Sequence, residues 1–266
     1  MGYICFKAGN DSLTFEQRTV LFPQLATIRP QDQRSFFFPR IFAGVEALPR
    51  AADAVEVITT WRPSVLINDV AELGGPLAAA RRGIPHATVG FGPPIQPDVL
   101  ATTDSVVRDY WASYGVTPAT PAGIYDHLYL DPCPPSLQPA EPGVIPNRHG
   151  VRAGTGPRPD EASAAALTGF PTEGVIYATM GTVYGRDAQL FRDVIGGVAP
   201  TGRSLVVTLG PHVAPSDIGT SAPNTLLVPF LAQAAVLPRC DLVVTHGGAG
   251  SVLGALGFGV PLLVLP

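Results

Sequence analysis

Lysine is almost missing from this sequence. Lys7 is the only one, and nearly all other positive charge is arginine. That bias follows genome composition more than function. Charge is scarce altogether: 14% of the 266 residues, a formal net charge of −4, and no basic block anywhere. Nucleic acid and anionic membrane surfaces are therefore not expected partners. Cysteine is scarce too. Cys5, Cys133 and Cys240 are far apart, odd in number and form no CxxC or Cys/His cluster, so no metal site is expected and a reducing, cytoplasmic setting fits. No apolar run approaches the ~20 residues of a membrane span. The first seven residues lack the charged and apolar regions of a signal peptide.

What is present is apolar: 46% of residues are hydrophobic, enough to bury the core of one large or two ordinary domains. Residues 1–35 carry no clear period, and Phe36-Phe37-Phe38-Pro39 reads as an aromatic stretch packing into a core, with an acceptor-pocket wall as the sharper alternative. Helical spacing runs over 39–60, and Trp61-Arg62-Pro63 breaks it. A strand over 64–69, an alanine-rich helix over 73–82 and a strand over 86–90 make a βαβ unit, and so a parallel sheet. Ligands of such sheets bind beyond the carboxyl ends of the strands, where Asp69 lies. A helix N-cap is the equally weighted alternative for Asp69. A helix over 99–114 follows, and His127 and Asp131 read as ordinary strand-end polar groups.

Residues 134–160 are rich in proline and glycine, read as unable to form a regular element, and serve as the linker between domain 1–133 and domain 161–266. The second domain repeats the alternation, with strands over 174–180, 204–209, 225–228, 241–244 and 260–265 and helices over 187–198 and 233–237. Its last strand but one ends in Thr245-His246-Gly247-Gly248-Ala249-Gly250-Ser251, where a helix begins. A glycine turn at a helix N-terminus offers free backbone N–H groups and the positive end of a dipole, which suits phosphate. His246 and the Ser251 hydroxyl add donors.

Residues 233–266 resemble the donor-binding segment of the family 1, GT-B fold glycosyltransferases, above all those of actinomycete antibiotic and macrolide pathways. The match rests on HGGxGS, the helix after it, Gly259-Val260-Pro261 and the closing strand. Residues 175–182 resemble the first strand and Gly-Thr loop of the same domain, and 66–85 the strand-Asp-helix-GIP unit of the acceptor domain. The resemblance implies an α/β chain of two Rossmann-like, doubly wound domains, both incomplete, as in an internal segment of a longer protein. Missing first strands would leave the amino-terminal sheet with open, apolar edges.

By the same resemblance, His246 contacts the donor diphosphate, while Gly247, Gly248, Gly250 and Ser251 hold its phosphates. Phe230 stacks on the base, Gln233 lies near the nucleoside, Thr182 faces the donor, and Asp69 orients a histidine base that has no counterpart in this chain. Gly254 stands where plant relatives carry a ribose-binding glutamate, which leaves UDP-sugar and dTDP-sugar both open as co-substrate. No cofactor is implied. The expected reaction is inverting, metal-independent transfer of a sugar to a hydroxyl of a small lipophilic acceptor. Two rivals stand beside it: a non-catalytic or truncated protein of the same fold that binds nucleotide diphosphate, and an NAD-binding dehydrogenase. The last is weakened by Leu253 at the third glycine position of GxGxxG.

Overall fold

The computed structural model describes residues 9, 15–29, 32–139, 144–154, 159–181, 187–219 and 224–265. They form two compact units, Met1–Val151 and Arg152–Pro266.

The first unit opens with α1 (Phe15–Leu21) and α2 (Gln33–Phe37). From α2 the helical path continues through a wider, π-type winding over Phe38–Ala47 into α3 (Leu48–Trp61). Pro39 and Pro49 bracket the wide segment. Neither ring can donate a backbone bond, and a looser turn relieves each ring's clash with the carbonyl one turn back. The path ends at Arg62, which is left-handed (φ 49°) and returns its N–H to Ile58; Pro63 forbids another turn. Phe36 and Phe38 are buried in the core, so the aromatic stretch is packing rather than a pocket wall.

There follow β1 (Leu66–Asp69), α4 (Gly74–Arg82), β2 (His86–Val89), α5 (Pro97–Ser113), β3 (Leu128–Asp131) and β4 (Arg148–Gly150). The four strands form one parallel sheet in sequence order. Its core joins Phe38, Leu73, Leu77, Val99, Trp111 and Tyr129. Gly74 lets α4 lie directly on α3: a Cβ there would stand 2.6 Å from the Ala47 carbonyl oxygen and from the Ala51 amide nitrogen. Among the described residues β1 is an edge strand; Val65, just before it, and Ile67, within it, are 49% and 67% exposed.

Strand β4 corrects the expectation that 134–160 holds no regular element. Residues 144–153 contain only one proline, Pro146, and one glycine, Gly150, and a buried charge pins this stretch to the sheet. Asp131 is 2% exposed and accepts bonds from Arg148 Nε (2.7 Å), Gln138 Nε2 (3.0 Å) and the Cys133 amide (2.9 Å). A carboxylate that deep must be paired, and Arg148 pairs it only by lying alongside β3.

The second unit contains α6 (Glu161–Ala166), β5 (Val175–Thr179), α7 (Ala188–Val198), β6 (Ser204–Thr208), α8 (Pro215–Ile218), β7 (Thr225–Val228), α9 (Gln233–Val236), β8 (Cys240–Thr245), α10 (Ala249–Gly257) and β9 (Leu262–Val264). Its parallel sheet runs β7-β6-β5-β8-β9. Asp160 and Asp187 cap α6 and α7 by accepting the Ser163 and Gln189 amides. Apolar residues alternate between two covered faces. Ile176, Ala178, Leu205, Val207 and Val244 pack with Phe191, Val194 and Ile195 of α7; Val175, Tyr177, Val206 and Val243 pack with Leu167, Val236 and Ala255. Helices thus cover both faces of a parallel sheet, which is a doubly wound α/β fold. No helix among the described residues is long and apolar enough to cross a membrane.

Two outcomes are expected. Asp131→Ala leaves Arg148 half-buried without its partner and should lower stability by about 3 kcal/mol in urea denaturation. His86 is buried at the start of β2, with Nδ1 3.1 Å from Nδ1 of His127. Burial first, and then the His127 charge, hold His86 below its ordinary value, against the carbonyls of Ile124 and Gly123 and the Asp126 carboxylate. The unfolded chain therefore binds the extra proton more readily. Stability is complete above about pH 6.5 and declines as the pH falls below it. Urea midpoints at pH 7.5 and 5.5 should differ less in His86→Gln than in the unaltered chain.

Candidate functional site

In the second unit the chain order of the sheet reverses between β5 and β8, so the loops leaving these neighbours run to opposite sides and open a crevice at their carboxyl ends. Three strands end there in threonine at one level: Thr208 pairs with Thr179, and Thr179 with Thr245. The three alternate with Tyr177, Val206 and Val243 onto the face covered by α9 and α10. All three are buried and polar. Thr179 and Thr245 accept the amides of Gly181 (3.3 Å) and Gly247 (3.4 Å), and Thr208 Oγ1 lies 3.0 Å from the Tyr177 hydroxyl. The row converts an apolar sheet into a hydrogen-bonding floor at its carboxyl edge.

His246 leaves β8 at this edge, and its imidazole lies between two glycines. A Cβ on Gly181 would stand 2.7 Å from its Cε1, and one on Gly248 2.6 Å from its Nε2. Burial lowers the pKa of His246, opposed by a hydrogen bond with the Thr179 backbone. Gly247 then turns the chain with φ +87°, a conformation that side-chain-bearing residues resist. Gly248 is the N-cap of α10, and the first helical bond runs from the Val252 amide to the Gly248 carbonyl (3.0 Å). The amides of Ala249, Gly250 and Ser251 therefore precede the helical ladder and point outward from its positive end. A Cβ on Gly250 would meet none of the described residues within 4 Å. No described residue fills the space over it on this side, as a ligand approaching the backbone requires.

Ser251 is buried, and its Oγ accepts a hydrogen bond from Gln233 Nε2 at 3.2 Å. Gln233 Oε1 fills the space beside Gly254, 2.9 Å from where a Cβ would be. Phe230, three residues before Gln233, is 63% exposed beyond the carboxyl end of β7. The structure thus gathers His246, Gly247, Gly248, Gly250, Ser251 and Gln233 into one contiguous site with Phe230 on the adjoining loop. Thr182 lies outside the described residues. Sequence reasoning overlooked the threonine row and the packing of Gly181 on His246. A threonine at the end of three successive apolar strands was the available signal.

Asp69 belongs to the first unit. It is exposed at the end of β1, and its Oδ1 accepts the Ala71 amide at 2.8 Å. It does not cap α4, whose N-cap is Leu73. Glu72 serves there instead: its carboxylate oxygens accept the amides of Gly74 (2.9 Å) and Gly75 (2.7 Å). Burial raises the pKa of Glu72 against those two amides and Arg50. Arg50, Asn68, Asp69 and Glu72 line one cavity of about 440 Å³ beside β1.

With this geometry in view, residues 162–266 match the family described as UDP-glucoronosyl and UDP-glucosyl transferase. L-demethylnoviosyl transferase of Streptomyces niveus is 31% identical over 231 residues, which are 84% of this chain and 57% of that protein. Tylactone mycaminosyltransferase of Streptomyces fradiae is 29% identical over 80% of this chain and 51% of its own length. Among solved structures, the glycosyltransferase SnogD from Streptomyces nogalater superposes with a TM-score of 0.71 at 24% identity, covering 93% of this chain and 66% of that one. The glycosyltransferase VinC, solved in complex with DTDP, superposes at 0.64 and 22% identity over 98% and 68%. The chain spans about half the length of the two curated relatives, 57% and 51%. Its fold is that of the GT-B glycosyltransferases. Its carboxy-terminal unit carries a UDP-glycosyltransferase-family domain, and the chain is a homologue of the antibiotic glycosyltransferases of Streptomyces.

The glycines divide into two kinds, and substitution separates them. Gly248→Ala should drive its new methyl into the His246 ring and lower the thermal midpoint. Gly250→Ala meets none of the described residues and replaces glycine inside a helix, so it should leave stability unchanged or raise it by up to ~1 kcal/mol. Parallel thermal denaturation of both variants checks this.

Proposed function

We propose that this chain carries the donor-holding half of a glycosyltransferase. It would move a sugar from a UDP- or dTDP-sugar to a hydroxyl of a small lipophilic acceptor, with inversion at the anomeric carbon and without a metal. The observation that carries the reading is the convergence, at the switch point of the second sheet, of His246, the open amides at the start of α10, and the Gln233–Ser251 pair. The names of the transferase homologues and the DTDP complex of VinC support the same reading.

In this reading the departing diphosphate gains negative charge as the glycosidic bond breaks. His246, the Gly250 and Ser251 amides and the Ser251 hydroxyl take up that charge without reorganising. Phe230 offers an exposed ring to the base, and Gln233, braced by Ser251, faces the nucleoside. Asp69 would hold the histidine that removes the acceptor proton in one tautomer. We place the protein in the cytoplasm, where Cys133 and Cys240 stay as free thiols.

A second reading, binding of nucleotide diphosphate without transfer, is favoured by one observation. The described histidines of the first unit that lie near its sheet's core, His86 and His127, pair with each other at the amino-terminal side of β2 and β3, at the opposite strand ends from Asp69.

Calorimetric titration with UDP and dTDP tests the shared part of both readings. Removing a hydrogen bond to a charged group should weaken binding about 10–100-fold in His246→Ala. An unchanged affinity removes His246 from the site. An arriving diphosphate raises the pKa of a histidine that burial had lowered, so binding near pH 6 should take up protons, read from the dependence of the heat on buffer ionisation. In the full-length enzyme, turnover of His246→Ala at saturating donor should drop ~100-fold or more.

A further inference from the structure

Among the described residues of the first unit, Arg34 is half-buried without a counter-charge, whereas Arg40, Arg62, Arg81 and Arg82, which also pair with no carboxylate, are exposed. Arg18, Arg29, Arg50, Arg108 and Arg148 each pair with a carboxylate. Arg34, on α2, is half-buried and pairs with none among the described residues. Its Nη1 donates to the Pro93 carbonyl at 3.1 Å, and its guanidinium carbon lies 5.7 Å from the centre of the Phe91 ring. Phe91 itself is 39% exposed. Burial lowers the pKa of Arg34, and the groups that oppose the shift, Tyr129, Tyr125 and Cys133, are neutral near pH 7. Asp131, the carboxylate that acts on the same two tyrosines and on Cys133, is committed to Arg148. Tyr125 is buried as well, edge-on against Tyr129 at 5.0 Å, and among the described residues its hydroxyl makes only a loose contact with the Ile95 backbone.

This cluster lies at the carboxyl ends of β2 and β3: Phe91 and Pro93 follow β2, and Cys133 follows β3. Ligands of parallel sheets bind at that end. A cation held partly out of water with no anion against it is an unfavourable arrangement that an incoming anion relieves. An exposed ring already stacked on a guanidinium provides a flat platform. A neutral aliphatic ligand would bury the guanidinium further and answer nothing.

We propose that Arg34 and Phe91 form a binding site for a planar aromatic molecule carrying an anionic oxygen, a carboxylate or an acidic phenolate, and that this is the chemical class of the acceptor. The ring lies on Phe91, and the oxygen accepts from the Arg34 guanidinium. The binding site stands on its own geometry; its identification as the acceptor site rests on the transferase reading.

The test uses the chain as it is, with 1-hydroxy-2-naphthoate as probe and its neutral methyl ester as comparator, both titrated by fluorescence at low and moderate salt. One charge-assisted contact predicts that the acid binds about 10-fold tighter than the ester or more, with the advantage shrinking in salt. Arg34→Met should abolish the advantage, and Arg34→Lys should keep part of it. Circular dichroism and the affinities for UDP and dTDP should not change in either variant. Equal binding of acid and ester, no binding of either, or an advantage that survives Arg34→Met overturns the proposal. Where nucleotides bind and the naphthoate does not, this inference alone falls; where the naphthoate binds and neither nucleotide does, the transferase reading falls and the aromatic anion site stands.

Discussion

Parallel pairing of β5 with β8 sets where every group of the nucleotide-facing site comes to lie. The two strands reach their carboxyl ends together, Thr179 beside Thr245, so the turn at Gly181 and the turn at His246 emerge next to each other. The match depends on a register shift near the other end, where Val175 pairs with Cys240 and Ile176 already pairs with Leu242. The skipped residue, Asp241, points its side chain to solvent and pairs with Arg203 at 2.6 Å. Without that shift, residue 179 would face residue 244 instead of 245, and a one-residue slip turns every side chain to the other face. Val243 would leave the α9–α10 face and His246 would lose its place between Gly181 and Gly248.

The same sheet satisfies two opposed requirements. Its interior must be apolar on both faces, because helices cover both. Its carboxyl edge must be polar, because the turns there leave backbone amides that need acceptors. Threonine meets both demands: it is β-branched, so it suits a strand, and its hydroxyl can accept from the turn above. Tyr177 extends the polar layer one step inward by reaching Thr208, and it does so on the face where Gln233 and Ser251 lie. In the first unit a buried carboxylate does comparable work. Asp131 draws Arg148, and with it β4, onto the sheet.

Much of this was legible beforehand because it is local. Strand–helix alternation, the break at Pro63 and the glycine turn after β8 are written in neighbouring residues. The strand β4 was not legible, since a proline- and glycine-rich average hides a short stretch whose partner, Asp131, is seventeen residues away. The helical path was legible over 39–60, but its start over Gln33–Phe38 was hidden, because Pro39 reads as a helix beginning when only α-helical geometry is considered. Glu72 was overlooked in favour of Asp69. Both are acidic and near a helix start, and only the direction of each carboxylate separates a cap from a strand-end group.

The amino-acid sequence by itself determined the α/β class, the two series of strands and the residues of the glycine turn, because periodicity and turn chemistry act over a few residues. Tertiary structure alone decided that Gly181 and Gly248 enclose the His246 ring, that Gln233 is braced by Ser251, and that Arg34 stands half-buried over Phe91 without a counter-charge. Apart from Gly248 beside His246, these are encounters between residues that are 18 or more positions apart. Their distances follow from strand register and helix packing, and no local pattern encodes them.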